Sequence, residues 1–168
     1  RLVVARHEAG AAFMADGHAR ETGRIGVVIA TSGPGATNLI TGVAGAYANN
    51  VPMLVITGQP PIRTFGRNAL QDSSCTGINT VGMFRHCTRY NSLVSHADQL
   101  ETKLINALMR AFQSPQGPVH LSIPVDILRS AVAAPSDEED RSAMVYSKPS
   151  MVDLDAMRAL QGELERAE

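Results

Sequence analysis

The chain has 168 residues, 44% of them hydrophobic and 18% charged, with a formal net charge of −1. That is enough apolar material for one α/β domain, with or without a short appendage, and too little charge for general disorder. The near-neutral balance gives no electrostatic footprint for nucleic acid, the 4% aromatic content without Trp gives no platform for stacking bases, and no apolar run reaches the length of a membrane span.

Chain order gives the organisation. RLVVA at the start reads as a short buried strand leading into a helix over residues 8–22. That helix carries apolar residues at Ala12, Phe13 and Ala19, with Gly23 as a C-cap. IGVVIA (25–30) is apolar throughout and fits a strand covered on both faces, as in a parallel sheet. TSGPG breaks it, and ATNLITGVAGAYANN returns to a helical pattern rich in small residues. PMLVITG (52–58) is a second buried strand, and residues 59–84, with Pro60, Pro61, Gly66, Gly77 and Gly82, read as a loop with short helical turns. TRYNSLV (88–94) is a weaker strand pattern, ADQLETKLINALMRAF (97–112) an amphipathic helix, and VHLSIPV (119–125) a further strand after the turn SPQGP.

Composition changes near Ala131. Residues 133–168 hold nine acidic and four basic side chains, a local charge of −5 against +4 for residues 1–132. The expected organisation is a domain over 1–130, a linker over 131–150, and an amphipathic helix over 151–168 that opens a further domain. The opening at Arg1, without Met, leads us to expect that a natural N-terminal segment precedes it.

Alternation of strand and helix predicts an α/β fold with a mainly parallel sheet and helices on both faces. Sites in such sheets form outside the carboxyl ends of the strands. Glu8, the turn at 32–35, the loop from Gly58 and Pro124 all fall at that edge by topology.

The turn SGPGATN suits close backbone approach to a ligand, since Gly33 and Gly35 carry no Cβ and a helix follows. It departs from both phosphate-binding patterns: a dinucleotide fingerprint wants a small residue where Asn38 stands, and a P-loop wants Gly-Lys-Ser/Thr. A plain strand-to-helix turn explains it as well. Glu8 suits a helix start electrostatically. Beside apolar neighbours it is also partly desolvated, so burial raises its pKa while the helix end lowers it, and the sequence leaves that balance open. His7, His18, His86, His96 and His120 show no ligand spacing and read as surface or satisfied histidines. Ser32 lacks a nucleophile elbow. Met53, Met83 and Met109 read as packing. Cys75 and Cys87 make neither a disulfide framework nor a metal set, which suits a reducing, cytoplasmic setting.

Four stretches occur in order: RHEAGAAFMADGHAR, ATSGPGATN, VPMLVITGQPP and SPQGPVHLSIPVDI. Together they resemble the pyrimidine-binding domain of thiamine-diphosphate enzymes, closest to the acetolactate synthase branch, over residues 1 to about 130. The resemblance implies that Glu8 hydrogen-bonds N1′ of the cofactor aminopyrimidine and favours its imino tautomer, whose nitrogen removes the proton at thiazolium C2. A 2-keto acid is then the implied substrate, in a carboligase, decarboxylase or lyase. Gly33, Pro34, Gly35 and Asn38 match positions that line the aminopyrimidine, and Gln71 matches a polar residue facing the reacting centre. Thiamine diphosphate is implied with Mg²⁺, the ion held by a downstream Gly-Asp-Gly domain with no counterpart in this sequence; FAD accompanies some relatives. A homodimer or tetramer follows, because the family cofactor lies between subunits; no nucleic-acid or membrane partner is implied. Two departures stand out: residues 66–91 form a longer stretch than in acetolactate synthases, and Arg89 replaces their usual Lys. Glyoxylate carboligase lacks the glutamate. A nucleotide-binding α/β module and a non-catalytic relative are the rival readings.

Overall fold

A computed structural model describes residues 2–131 and 154–166. Four strands form one sheet in the order β1 (Gly26–Ala30), β2 (Met53–Gln59), β4 (Pro118–Pro124) and β3 (Tyr90–Leu93), every neighbouring pair parallel. Glu8–Thr22 (α1), Pro34–Asn38 (α2), Ile40–Ala48 (α3), Thr80–Phe84 (α4), Leu100–Phe112 (α5) and Val125–Leu128 (α6) complete this unit. Leu154–Arg166 (α7) belongs to a second compact unit, where Met157 and Leu160 are exposed. The expected linker, residues 131–150, lies outside the described residues from 132 onward.

Two apolar layers cover the two faces of the sheet. One packs α1 and α3 against Val28, Met53 and Val55. The other packs Ala107 and Ala111 of α5 against Leu54, Val119 and Leu121. Period-2 alternation of the strands puts consecutive residues into opposite layers, and burial of both layers is why β4 is buried at all seven positions.

Helix α1 begins on His7, whose Nδ1 accepts from Ala9 N at 3.2 Å, and ends on Gly23 in the left-handed region at φ 68°. It meets its neighbours through small residues. A Cβ on Gly26 would stand 2.2 Å from the Ala15 carbonyl oxygen, and one on Gly42 2.5 Å from the Ala12 Cβ. The helix therefore lies backbone-close to β1 and α3.

Three expectations are corrected. Residues 2–5 form no strand, and Leu2, Val3 and Val4 are exposed. An apolar run needs a ladder partner to become a strand, and none among the described residues takes that place. Strand β1 is covered on one face only: Val28 is buried but Val27 and Ile29 are exposed, because β1 is an edge strand and α5 packs on β2, β3 and β4. Of the three methionines read as packing, Met53 is in the core, whereas Met83 and Met109 lie on outward-facing sides of α4 and α5.

A buried histidine lies in the first of these layers. His120 is fully buried on β4, stacked on Phe84 with ring centroids 4.2 Å apart. Asn91 donates through Nδ2 to the Val81 carbonyl, so its Oδ1 accepts from His120 Nδ1 at 2.7 Å. That leaves Nε2 to accept the Thr57 hydroxyl at 2.8 Å. Both ring nitrogens are satisfied by the neutral ring, and burial pushes its pKa down to about 3.

Two outcomes follow for stability. The unfolded chain protonates this histidine near its ordinary 6.5 while the folded chain refuses the proton until about 3. Stability should therefore be full above pH 6.5 and fall as pH drops, by up to about 1.4 kcal/mol per pH unit. Urea unfolding between pH 6.5 and 5, above most carboxylate titration, reads this slope; a flat profile would contradict a buried neutral ring. Gly26→Ala should destabilise the chain by about 1–3 kcal/mol, visible as a lower denaturation midpoint, because backbone rather than a flexible side chain occupies the space.

Candidate functional site

Parallel pairing aligns Ala30 with Thr57, and Gln59 with Pro124, so β1, β2 and β4 end at one edge. The chain leaves β1 there into the turn Ser32–Gly33–Pro34–Gly35, and α2 starts at Pro34, whose missing N–H and fixed φ suit a first helical position. Gly33 adopts φ 63°, ψ −124°, a conformation for glycine alone.

Glu8 reaches this turn from the first turn of α1. Its Oε2 accepts from Asn38 Nδ2 at 3.1 Å. Its Oε1 stands 3.5 Å from where a Cβ on Gly35 would lie, a position also 2.7 Å from Thr31 Cγ2. Glycine at 35 thus lets the turn pass close to Thr31 and to one carboxylate oxygen, while Asn38 holds the other. The Asn38 hydrogen bond, assisted by the helix-start amide and nearby His7, keeps the Glu8 carboxyl below the ordinary range against a smaller opposing effect of burial. The balance left open by the sequence falls on the side of the carboxylate anion.

Gln71 meets the same turn at its other end. It takes a left-handed backbone at φ 57°. A Cβ on Gly33 would lie 2.8 Å from the Gln71 Cβ, and Ser32 Oγ donates to Gln71 Oε1 at 3.4 Å. The structure therefore brings together Glu8, Gly33, Pro34, Gly35, Asn38 and Gln71 around one turn.

Two residues that the sequence reading passed over belong to this cluster. Ser73, buried, accepts from Gly33 N at 2.8 Å and donates to the Gln71 carbonyl at 2.9 Å. Gln59, at the end of β2, donates to the Ser73 carbonyl at 2.8 Å. Behind them, Asp72 accepts from Ser74 N and Gly66 N; the Ser74 side chain first, and then these two amides, hold its carboxyl below the ordinary range. Only the Gln-Asp-Ser-Ser run, a loop-forming composition, hinted at these partners.

A carboxylate with one oxygen held by Asn38 and the other beside the backbone of a Gly-Pro-Gly turn suits a planar ligand that donates an N–H. The aminopyrimidine of thiamine diphosphate fits that description in its ring-protonated form. No set of three or more His, Cys, Asp or Glu residues that could hold a metal ion occurs among the described residues.

The fold and this edge define an α/β ligand-binding domain, and comparison with known proteins narrows it. Residues 1–78 match the family described as thiamine pyrophosphate enzyme, N-terminal TPP binding domain. The mitochondrial catalytic subunit of acetolactate synthase from Saccharomyces cerevisiae is 39% identical over 134 residues, 80% of this chain and 19% of that one. Acetolactate synthase of Arthrospira platensis is 45% identical over 124 residues, 74% of this chain and 21% of that one. The large subunit of acetolactate synthase isozyme 1 from Escherichia coli is 37% identical over 160 residues, 94% of this chain and 28% of that one. This chain thus spans between 19% and 28% of the length of these relatives. The crystal structure of benzoylformate decarboxylase from Polynucleobacter necessarius shares the fold with TM-score 0.72 at 24% identity, over 79% of this chain and 24% of that one. Residues 1–78 are thus similar to the N-terminal TPP-binding domain of thiamine pyrophosphate enzymes, and acetolactate synthases are among the relatives of the longer stretch.

Asn38→Ala should leave the fold intact and raise the Glu8 pKa towards the ordinary carboxylate range, since the largest cause of its depression is removed. Carbon-detected NMR titration of the Glu8 carboxyl checks this; an unchanged midpoint would mean that Asn38 does not control the charge.

Proposed function

We propose that this chain binds the aminopyrimidine of thiamine diphosphate within a 2-keto acid carboligase or decarboxylase of the acetolactate synthase kind, and that Glu8 activates the cofactor. The observation that carries the reading is the Glu8 carboxylate, held through Oε2 by Asn38 with Oε1 beside Gly35 of the turn. An anionic oxygen there accepts a hydrogen bond from protonated N1′ and favours the proton staying on the ring. Gly33, Pro34 and Gly35 offer backbone to the ring, Asn38 orients the carboxylate, and Gln71 presents its amide towards the substrate. Thiamine diphosphate, when bound, supplies the carbon nucleophile and electron sink for chemistry beside a keto-acid carbonyl. The reading leaves the diphosphate and its Mg²⁺ to residues outside those described and gives FAD no residue here.

It carries with it a homodimer or tetramer, supported by the exposed Phe13 and Met14 on the helix that bears Glu8. It also treats α7 as the start of a following domain. Unpaired Cys75 and Cys87 support a cytoplasmic setting. No helix among the described residues is long and apolar enough to cross a membrane.

In the full-length protein, Glu8→Gln should fold normally and lose about 10²–10⁴-fold in rate, the usual weight of a general acid–base group. The amide keeps volume and one acceptor but not the negative charge. Exchange of the cofactor C2 proton with deuterated water isolates the step. Exchange at the wild-type rate in Glu8→Gln would reduce Glu8 to a helix-start residue.

A further inference from the structure

We propose that Ser73 is a positioning residue of this site: its hydroxyl locks Gln71 onto the Gly33–Gly35 turn and so sets the separation between Gln71 and Glu8. The effect on catalysis rests on the reading above, whereas the lock itself rests on geometry alone.

Ser73 is buried with 1% of its surface exposed, and both its hydroxyl and its carbonyl are hydrogen-bonded. Its hydroxyl accepts from Gly33 N and donates to the Gln71 carbonyl, so one side chain closes a ring between the turn after β1 and the loop after β2. Its carbonyl accepts from Gln59 Nε2 and from Thr80 N at 3.1 Å, which ties the same residue to the end of β2 and the start of α4. Four segments thus converge on one serine.

The consequence lies in what the turn carries. Gln71 packs on Gly33 and Glu8 reaches Gly35, two residues further along. Gln71, a non-glycine residue, holds a left-handed backbone at φ 57°, which a loose loop would relax. Removing the hydroxyl leaves the buried Gly33 N–H without its acceptor, and the least costly response is for the turn and the Gln71 segment to part. Misplacement of a reacting group by about 1 Å can cost about a hundredfold in rate. A serine that only stapled a surface loop would change stability and leave catalysis alone.

The first test needs no variant. In wild-type protein the Gly33 amide should exchange slowly with deuterium, as a buried bonded group does; exchange at the rate of a free turn amide would overturn the proposal. The second uses full-length protein. Ser73→Ala should speed Gly33 exchange, leave the amides of Val55 and Leu121 protected, and lower kcat by about ten- to a hundredfold, with Ser73→Thr restoring most of it. If Ser73→Ala does not fold, Ser73→Cys gives the same comparison, since sulfur keeps the volume and is a weak acceptor. Wild-type kcat in Ser73→Ala or Ser73→Cys, beside an inactive Glu8→Gln, would overturn the positioning role and leave the functional reading standing. An active Glu8→Gln would overturn the functional reading and the catalytic effect with it, while the Gly33 exchange rate still decides the lock.

Discussion

Helix α1 meets the sheet through backbone rather than through large side chains. Ala12, Ala15 and Ala19 form its buried side, and glycines at 26 and 42 receive them. Contact of this kind leaves little room for adjustment, because the atoms in the way are carbonyls and Cβ atoms rather than flexible chain ends. It fixes the axis of the helix, and hence the position of Glu8 at its first turn. The hydrogen bond to Asn38 is then short-range tuning on a carboxylate whose place is already decided by the packing of small residues about one to three turns away.

The opposite end of the turn is held by another kind of force. Between α1 and α3 the layer is apolar, but towards the carboxyl ends of β2 and β4 the same face becomes polar: Thr57, Gln59, His120 and Ser122 are all buried there. Buried polar groups favour defined geometry because each orphaned donor or acceptor is costly. Gln59 spends its amide nitrogen on Ser73, and Thr57 spends its hydroxyl on His120. The site is thus flanked by close apolar packing at Glu8 and by directional bonds at Gln71.

The parts of this arrangement legible in the sequence are those with a local signature. The β-branched run at 25–30 and the apolar run at 52–58 announced strands, and small residues around a Gly-Pro-Gly turn announced a tight strand-to-helix connection. Parallel topology then placed Glu8 and the turn at one edge without any motif. What was not legible depends on partners far away in sequence. Ser73 bonds Gly33 across 40 residues and His120 bonds Thr57 across 63, and neither serine nor threonine carries a mark of its future acceptor or donor. The errors at 2–5 and at Val27 and Ile29 share a cause. Apolar composition states that a segment gains from burial, whereas coverage depends on where the segment falls in the sheet.

The two cysteines stand in opposite environments within the same unit. Cys87 is buried, donates to the Phe84 carbonyl at 3.6 Å, and has its thiol pKa raised by that burial, whereas Cys75 is exposed two residues beyond Ser73. Thiolate chemistry discriminates between such groups. A maleimide dye or spin label at neutral pH therefore goes to Cys75 and leaves Cys87 untouched while the chain is folded. The label sits on the loop that carries Gln71 and reports its motion, and delayed modification of Cys87 counts unfolding events. The natural sequence thus contains a spectroscopic handle and a folding clock without any engineered residue.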